Sequence, residues 1–339
     1  LPSGLCPHVF PSFHDAYLAV LKAVTEHPTG KISTRGNTSL ELLDVSFRIA
    51  DPRDRLPYFG RRPINLPYNW GELLWFLAGR DDLEMISYYA PRIRAHSGDG
   101  IRLAGTAYGR PLFQPGGDSR SQWDRVLDLL AHDPDSKRAV ISIFGSDELA
   151  ADPNPDVSCT IAAQFLLREG ALHLSVYMRG NDAYRGMVSD VFAFTVLQEL
   201  AALRLGARLG HYSHHVGSMH VNAPDLGAVE HLIEEATAPG RRPPVSKPPT
   251  MPVTTAADIT FVLLAEESLR TNAARHTPAS VAETGLPRYW QQVLLVLEAF
   301  RQIKHTIGEV GASVLAALDP GYRWHLERRW PSRMPQAAS

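Results

Sequence analysis

Residues 192–205 are apolar around almost the whole girth of a helix, interrupted only by Thr195, Gln198, Glu199 and Arg204. A helix of that kind is stable only inside something else, so the rest of the chain has to fold around it. The 339 residues, 44% of them hydrophobic, suggest about two domains at roughly 150 residues each. A core of that size needs neither disulfides nor a structural metal. Lys and Arg number 34 against 36 Asp and Glu, a formal charge of -2, which excludes a broadly basic nucleic-acid binder working by phosphate neutralisation. No apolar run is read as reaching the roughly 20 residues of a membrane span. The first thirteen residues lack the charged-then-apolar layout of a secretory leader. Cys6 and Cys159 are the only cysteines and stand far apart, so no disulfide framework is expected. Together these features predict a soluble cytoplasmic protein without nucleic-acid or membrane partners.

Phe13, Tyr17, Val20, Leu21 and Val24 repeat at helical spacing, with Pro28-Thr29-Gly30 as the stop. Residues 40–49 alternate and predict a strand. Residues 70–83 read as one helix, 97–117 as a polar glycine-rich loop, and 122–130 as a helix ended by Asp133-Pro134-Asp135. Further strands are predicted at 139–144, 160–167 and 171–178. Pro-rich composition over 238–253, including Arg242-Pro243-Pro244 and Lys247-Pro248-Pro249, marks a linker. Helical patterns return at 256–269 and 287–305. The expected division is therefore 1–253 and a mostly helical 254–339, with no internal repeat.

No Walker A loop, HExxH, CxxC or GxSxG is present. His211, His214, His215 and His220 crowd one stretch, but Asp225 is the single nearby carboxylate and no ligand spacing is met, so no metal is expected. Cys159 lies in Pro155-Asp-Val-Ser-Cys-Thr, ahead of an apolar strand. Taken alone, a cysteine there is a small buried hydrophobe. Arg179 changes that reading, because a guanidinium beside a thiol favours the thiolate that nucleophilic catalysis needs. Glu72, amid Trp70, Leu73, Leu74 and Trp75, is either the solvent-facing residue of its helix or a desolvated carboxyl suited to proton transfer. Arg35, Lys137, Arg138 and Arg179 pass singly as surface charges; gathered, they would bind a phosphate dianion.

In order and spacing, several segments resemble the thymidylate synthase family: Glu72-Leu-Leu-Trp-Phe-Leu, Tyr108-Gly109, Asp133-Pro-Asp-Ser-Lys-Arg, Ser158-Cys159, Gln164-Phe165, Arg179-Gly-Asn-Asp182 and Gly186 through Asp190. The likeness runs from about residue 13 to about 250. It implies an α/β (α+β) fold, a sheet sandwich with surrounding helices in an obligate homodimer, extended here by the helical C-terminal segment. It also implies a mechanism in which Cys159 attacks C6 of a pyrimidine nucleotide and C5 takes a one-carbon unit from 5,10-methylenetetrahydrofolate. Glu72 would organise proton transfer and Tyr108 assist removal of the C5 proton. Arg35 and Arg179 would hold the phosphate, with Lys137 and Arg138 supplied by the other subunit. Asp182 would contact folate, and His220 the sugar.

Three departures from the family pattern narrow the reading. Where uridylate-specific members carry Asn, this chain has Asp190. Asn suits the N3–H and O4 edge of uracil, whereas a carboxylic acid can donate to N3 and accept from N4 of cytosine, as in the deoxycytidylate hydroxymethylases that share this exchange. The competing reading of Asp190 is a helix N-cap. Secondly, Arg94 and Ser97 stand where the synthases place tryptophans against folate, which would admit water to the exocyclic methylene and give a hydroxymethyl product. Thirdly, the sugar-binding His-x-Tyr appears as His220-Val221-Asn222, and Gly180 replaces a phosphate-contacting serine. These changes resemble the cytidylate hydroxymethylases of mildiomycin-type antibiotic pathways and favour CMP over dCMP. The other readings are methylation of thymidylate synthase type and a nucleotide-binding protein without catalysis.

Overall fold

The computed structural model describes residues 5–34, 36–116, 119–150, 155–238 and 249–335. Its strands are β1 (His8–Phe10), β2 (Gly30–Thr34), β3 (Asn37–Ile49), β4 (Val140–Ser142), β5 (Thr160–Arg168), β6 (Ala171–Asp182) and β7 (Arg208–Asn222). They form one mixed sheet in the order β1-β3-β7-β6-β5-β4, with β2 paired antiparallel to β3. Helices α1 (Phe13–Glu26), α2 (Leu66–Leu77), α3 (Leu83–Tyr89), α4 (Gly109–Phe113), α5 (Gln122–His132), α6 (Gly186–Arg204) and α7 (Leu226–Thr237) surround it. The C-terminal segment adds α8 (Ala256–Arg270), α9 (Pro278–Ala282), α10 (Arg288–His305), α11 (Ala312–Ala317) and α12 (Pro320–Arg329). This is the α/β architecture the sequence implied.

The all-round apolar helix is α6, the crossover between the parallel strands β6 and β7. It amends the reading that no stretch approaches a membrane span: its 19 residues are apolar enough by composition, yet 78% of that window is buried inside the fold. Its buried polar side chains make hydrogen bonds, as burial demands, although Gln198 Oε1 finds no partner among the described residues. Gln198 Nε2 donates to the Leu172 and Gly210 carbonyls at 3.0 and 3.2 Å. Glu199 accepts from Arg55 Nη2 at 2.5 Å and from the Met251 amide at 3.1 Å.

The C-terminal helices close over α2. Trp70 is fully buried and packs edge-on against Phe192 of α6, Trp290 of α10 and Tyr322 of α12, at 5.0, 6.3 and 6.3 Å between ring centroids. Tyr89 of α3 donates to Glu266 of α8 at 2.8 Å.

Several expectations need correcting. The single helix over 70–83 is two, because Gly79 takes φ +63 and ends α2 with the Gly79 and Arg80 amides bonded to Phe76 and Trp75. The loop over 97–117 contains α4, and the strand over 139–144 shortens to β4. Strands β1 and β2 and helix α7 were not foreseen. Neither was β7, a central strand whose four histidines hid its alternation. The linker prolines 243, 244 and 248 lie outside the described residues.

Candidate active site

Glycines set the scaffold. A Cβ on Gly109 would stand 2.3 Å from the Phe76 backbone, so only glycine lets α4 lie against α2 and bring Tyr108 toward Glu72. Gly105 lies against the loop before β5 just as closely: a Cβ on it would stand 2.4 Å from the Ser158 amide nitrogen. Asp156 clamps these two loops: it accepts from the Gly105 and Thr106 amides at 2.8 and 3.0 Å and from the Thr106 hydroxyl at 2.5 Å. Ser158 Oγ donates to the Gly105 carbonyl at 2.9 Å. The sequence motif contained Asp156 and Ser158, but nothing local to it revealed this function.

Cys159 is half-buried at the entry to β5, and Arg179 Nη2 lies 3.8 Å from its sulfur. The guanidinium is aimed by two backbone acceptors, Nε to the Ser158 carbonyl at 2.8 Å and Nη2 to that of Val157 at 2.9 Å. Glu72 is buried inside α2 and accepts from Tyr68 at 2.5 Å. Burial raises its carboxyl to about 8; the Tyr68 hydrogen bond pulls the other way and the Asp190 charge adds to the rise. Asp190, on the first turns of α6, is pushed up to about 7 by burial, opposed by the Asn181 hydrogen bond and aided by Asp182. Asn181 Nδ2 donates to Asp190 Oδ2 at 2.7 Å, while Oδ1 has no protein partner among the described residues. The Tyr108 phenol is raised well above its ordinary value by burial first, then by the charges of Asp190, Cys159 and Glu72. A thiol with a cation beside it, two carboxyls that hold protons near neutrality and a phenol therefore converge.

A second group lies where β6 ends beside β7. Asp182 pairs in register with His220 and accepts from Asn222 Nδ2 at 2.8 Å and from the Tyr184 and Arg185 amides, both at 2.9 Å. Asn222 also accepts from Ser39 Oγ at 2.8 Å, which leaves it one N–H and one lone pair for a ligand. A Cβ on Gly180 would meet only the Ser218 carbonyl, at 3.6 Å, so packing does not require glycine there.

Other predicted residues stand apart. Arg94 is exposed and donates to Ser87 Oγ at 2.7 Å. Lys137 and Arg138 are exposed where the chain enters the edge strand β4. Arg35 lies outside the described residues. Strand alternation parts the histidine cluster, with His214 buried against Tyr212 and His215 stacked on Tyr177. No group of three or more His, Cys, Asp or Glu side chains converges among the described residues.

The family model for thymidylate synthase matches residues 15–261. The chain belongs to the thymidylate synthase family. It is similar to proteins named deoxyuridylate hydroxymethyltransferase from three phages. That of Bacillus phage SP01 is 30% identical over 223 residues, covering 62% of this chain and 57% of the relative. That of Pseudomonas phage M6 is 28% identical over 194 residues, 56% and 53% of the two chains. That of Delftia phage PhiW-14 is 30% identical over 205 residues, 55% and 54%. The chain thus spans somewhat more than half the length of these phage relatives.

Proposed function

We propose that this chain is a C5-hydroxymethyltransferase for a cytidine monophosphate, CMP in preference to dCMP, with 5,10-methylenetetrahydrofolate as co-substrate. The names of the phage relatives support hydroxymethyl transfer. One observation carries the base: the Asp190 carboxyl, whose Oδ1 has no protein partner among the described residues, lies close enough to Tyr108 and Glu72 for its charge to raise both, and it titrates at about 7. As an acid it donates to N3 and accepts from N4 of cytosine; as a carboxylate it accepts from both once N3 is protonated.

Cys159, with Arg179 favouring its thiolate, adds to C6 and makes C5 nucleophilic. The folate supplies a one-carbon unit at the formaldehyde level. Tyr108 and the water held near Glu72 take the C5 proton. Once the bond from that carbon to the folate nitrogen has broken, water adds to the methylene carbon. The sulfur then leaves C6, so the products are the 5-hydroxymethyl nucleotide and tetrahydrofolate, with no net oxidation.

The glutamate tail of the folate is assigned to a cavity of about 200 Å³, room for part of that molecule only, lined by Arg62, Tyr68, Asn69, Val188, Arg185 and Arg329. The buried Asn69 Nδ2 there lacks a partner, and the guanidiniums suit a dicarboxylate tail. Arg329 comes from α12, so the C-terminal segment supplies part of the folate mouth. The Arg94 and Asn222 substitutions are read as admitting water and a ribose 2′-hydroxyl. Lys137 and Arg138 are read as reaching the phosphate of a second copy, with Arg179 and Arg35 holding it from this one.

The relatives' names favour a second reading, deoxyuridylate as substrate. Competition of CMP, dCMP, UMP and dUMP for limiting methylenetetrahydrofolate, followed by mass spectrometry, separates them. A CH2O gain on CMP without dihydrofolate is the expected result. The same gain on dUMP would select the second reading, and a CH2 gain with dihydrofolate would mean methylation.

A further inference from the structure

A chain of buried hydrogen bonds ends on Asp190. Tyr212 Oη lies 2.8 Å from His214 Nδ1, His214 Nε2 lies 3.2 Å from Asn181 Oδ1, and Asn181 Nδ2 lies 2.7 Å from Asp190 Oδ2. Tyr212 and His214 are fully buried and Asn181 nearly so. From these contacts we infer that Tyr212, His214 and Asn181 are positioning residues that fix which oxygen of Asp190 carries its proton, and so which pyrimidine edge it reads.

The polarity follows from donor bookkeeping. The ionised carboxylate only accepts, so the Asn181 amide turns its NH2 toward Oδ2 and its carbonyl toward His214. His214 then carries its proton on Nε2, and its bare Nδ1 accepts from the Tyr212 hydroxyl. Burial lowers His214 to about 3, which keeps the ring neutral with one donor and one acceptor. Every link now points toward Asp190. Oδ2 is held as an acceptor, and when Asp190 is protonated its proton resides on Oδ1, the oxygen left open to a ligand.

An unconstrained carboxylic acid does not discriminate: with its proton on either oxygen it complements cytosine one way round and uracil the other. Fixing the proton removes one of the two. Gly186 backs the arrangement, since a Cβ there would stand 3.4 Å from Asn181 Nδ2 and 3.6 Å from Asp190 Oδ2.

This inference rests on Asp190 being the base reader, and the test separates the two. The ratio of kcat/KM for cytidine over uridine monophosphates is measured for wild type, Tyr212→Phe, His214→Phe and Asp190→Asn, with thermal unfolding in parallel. Loss of the oriented donor is expected to lower the ratio about tenfold or more in His214→Phe, the scale of one hydrogen bond to a charged group. Tyr212→Phe, which frees only the tautomer, should lower it less. A merely structural role would lower activity or melting temperature and leave the ratio unmoved. If Asp190→Asn shifts the ratio while both chain variants keep it, the positioning inference is overturned and the base reading stands. An unchanged ratio in Asp190→Asn overturns both. Should His214→Phe fail to fold, the Tyr212→Phe ratio decides.

Discussion

The carboxyl of Glu72 is held in its acid form by burial up to about pH 8, which ties function to stability at one atom. Its folded value lies above the ordinary 4.5, so the native state binds the extra proton and the stabilisation is complete below pH 4.5. It is lost as pH rises through about 8. Glu72→Gln, neutral at every pH, is expected to lose turnover yet to resist alkaline unfolding better than wild type, by on the order of a few kcal/mol. Urea unfolding at pH 5 and pH 9, which bracket the window from 4.5 to about 8, checks the sign: an equal loss in both proteins would contradict it. Cys159→Ala is expected to abolish product while nucleotide binding, followed by calorimetry, is kept. At this scale the sequence announced the charged and nucleophilic groups, because a thiol or a carboxyl in an apolar context is conspicuous. It did not announce Asn181, Asp156 or His214, whose importance comes from partners 9, 50 and 33 residues away.

Among the elements, those with a sustained apolar pattern were legible: α1, the all-round apolar α6 and the strands β5 and β6 lie where patterning placed them. Strand β7 was not, since polar and glycine residues occupy alternate positions on both its faces, and its burial comes from neighbours on either side. The α4–α2 contact likewise depends on a space no periodicity encodes. Gly109→Ala is expected to push α4 off the Phe76 backbone, costing about 1–3 kcal/mol as overpacking does, and to lower kcat by displacing Tyr108. Retained kcat would show that Tyr108 tolerates the shift. In α12, His325 is fully buried with neither ring nitrogen bonded, and burial lowers it to about 3. The unfolded chain takes up that proton below about 6.5 and the native state does not, so stability falls as pH drops from 6.5 toward 3. His325→Phe keeps the ring packed near Tyr58, 4.7 Å away. It is expected to melt higher at pH 5, and an identical melting profile would refute the assignment.

Over the whole molecule, the sheet shows an open face on which Ile161 and Tyr177 are 44% and 37% exposed beside His215. Apolar surface of that kind on the centre of a sheet suits burial against a second copy. On the proposed dimer with Lys137 and Arg138 crossing to the phosphate, Tyr177→Asp is expected to yield monomers in analytical ultracentrifugation and to weaken phosphate binding. A variant that sediments like wild type would count against the dimer. The sheet with surrounding helices was legible in the motifs of the resemblance, whereas the closure of α10 and α12 over Trp70 was not, because that contact joins segments more than 200 residues apart. The pairing of β3 with β7, Ser39 opposite Asn222, has a consequence for how the molecule is made. A ribosome must deliver nearly two thirds of the chain before the central strand exists, and closing so long a loop is entropically costly and slow. Cys159 and Arg179 meet within a local hairpin, but His214, the donor that orients Asn181, waits on β7. The nascent chain can therefore shape its nucleophile well before it can tell one base from another.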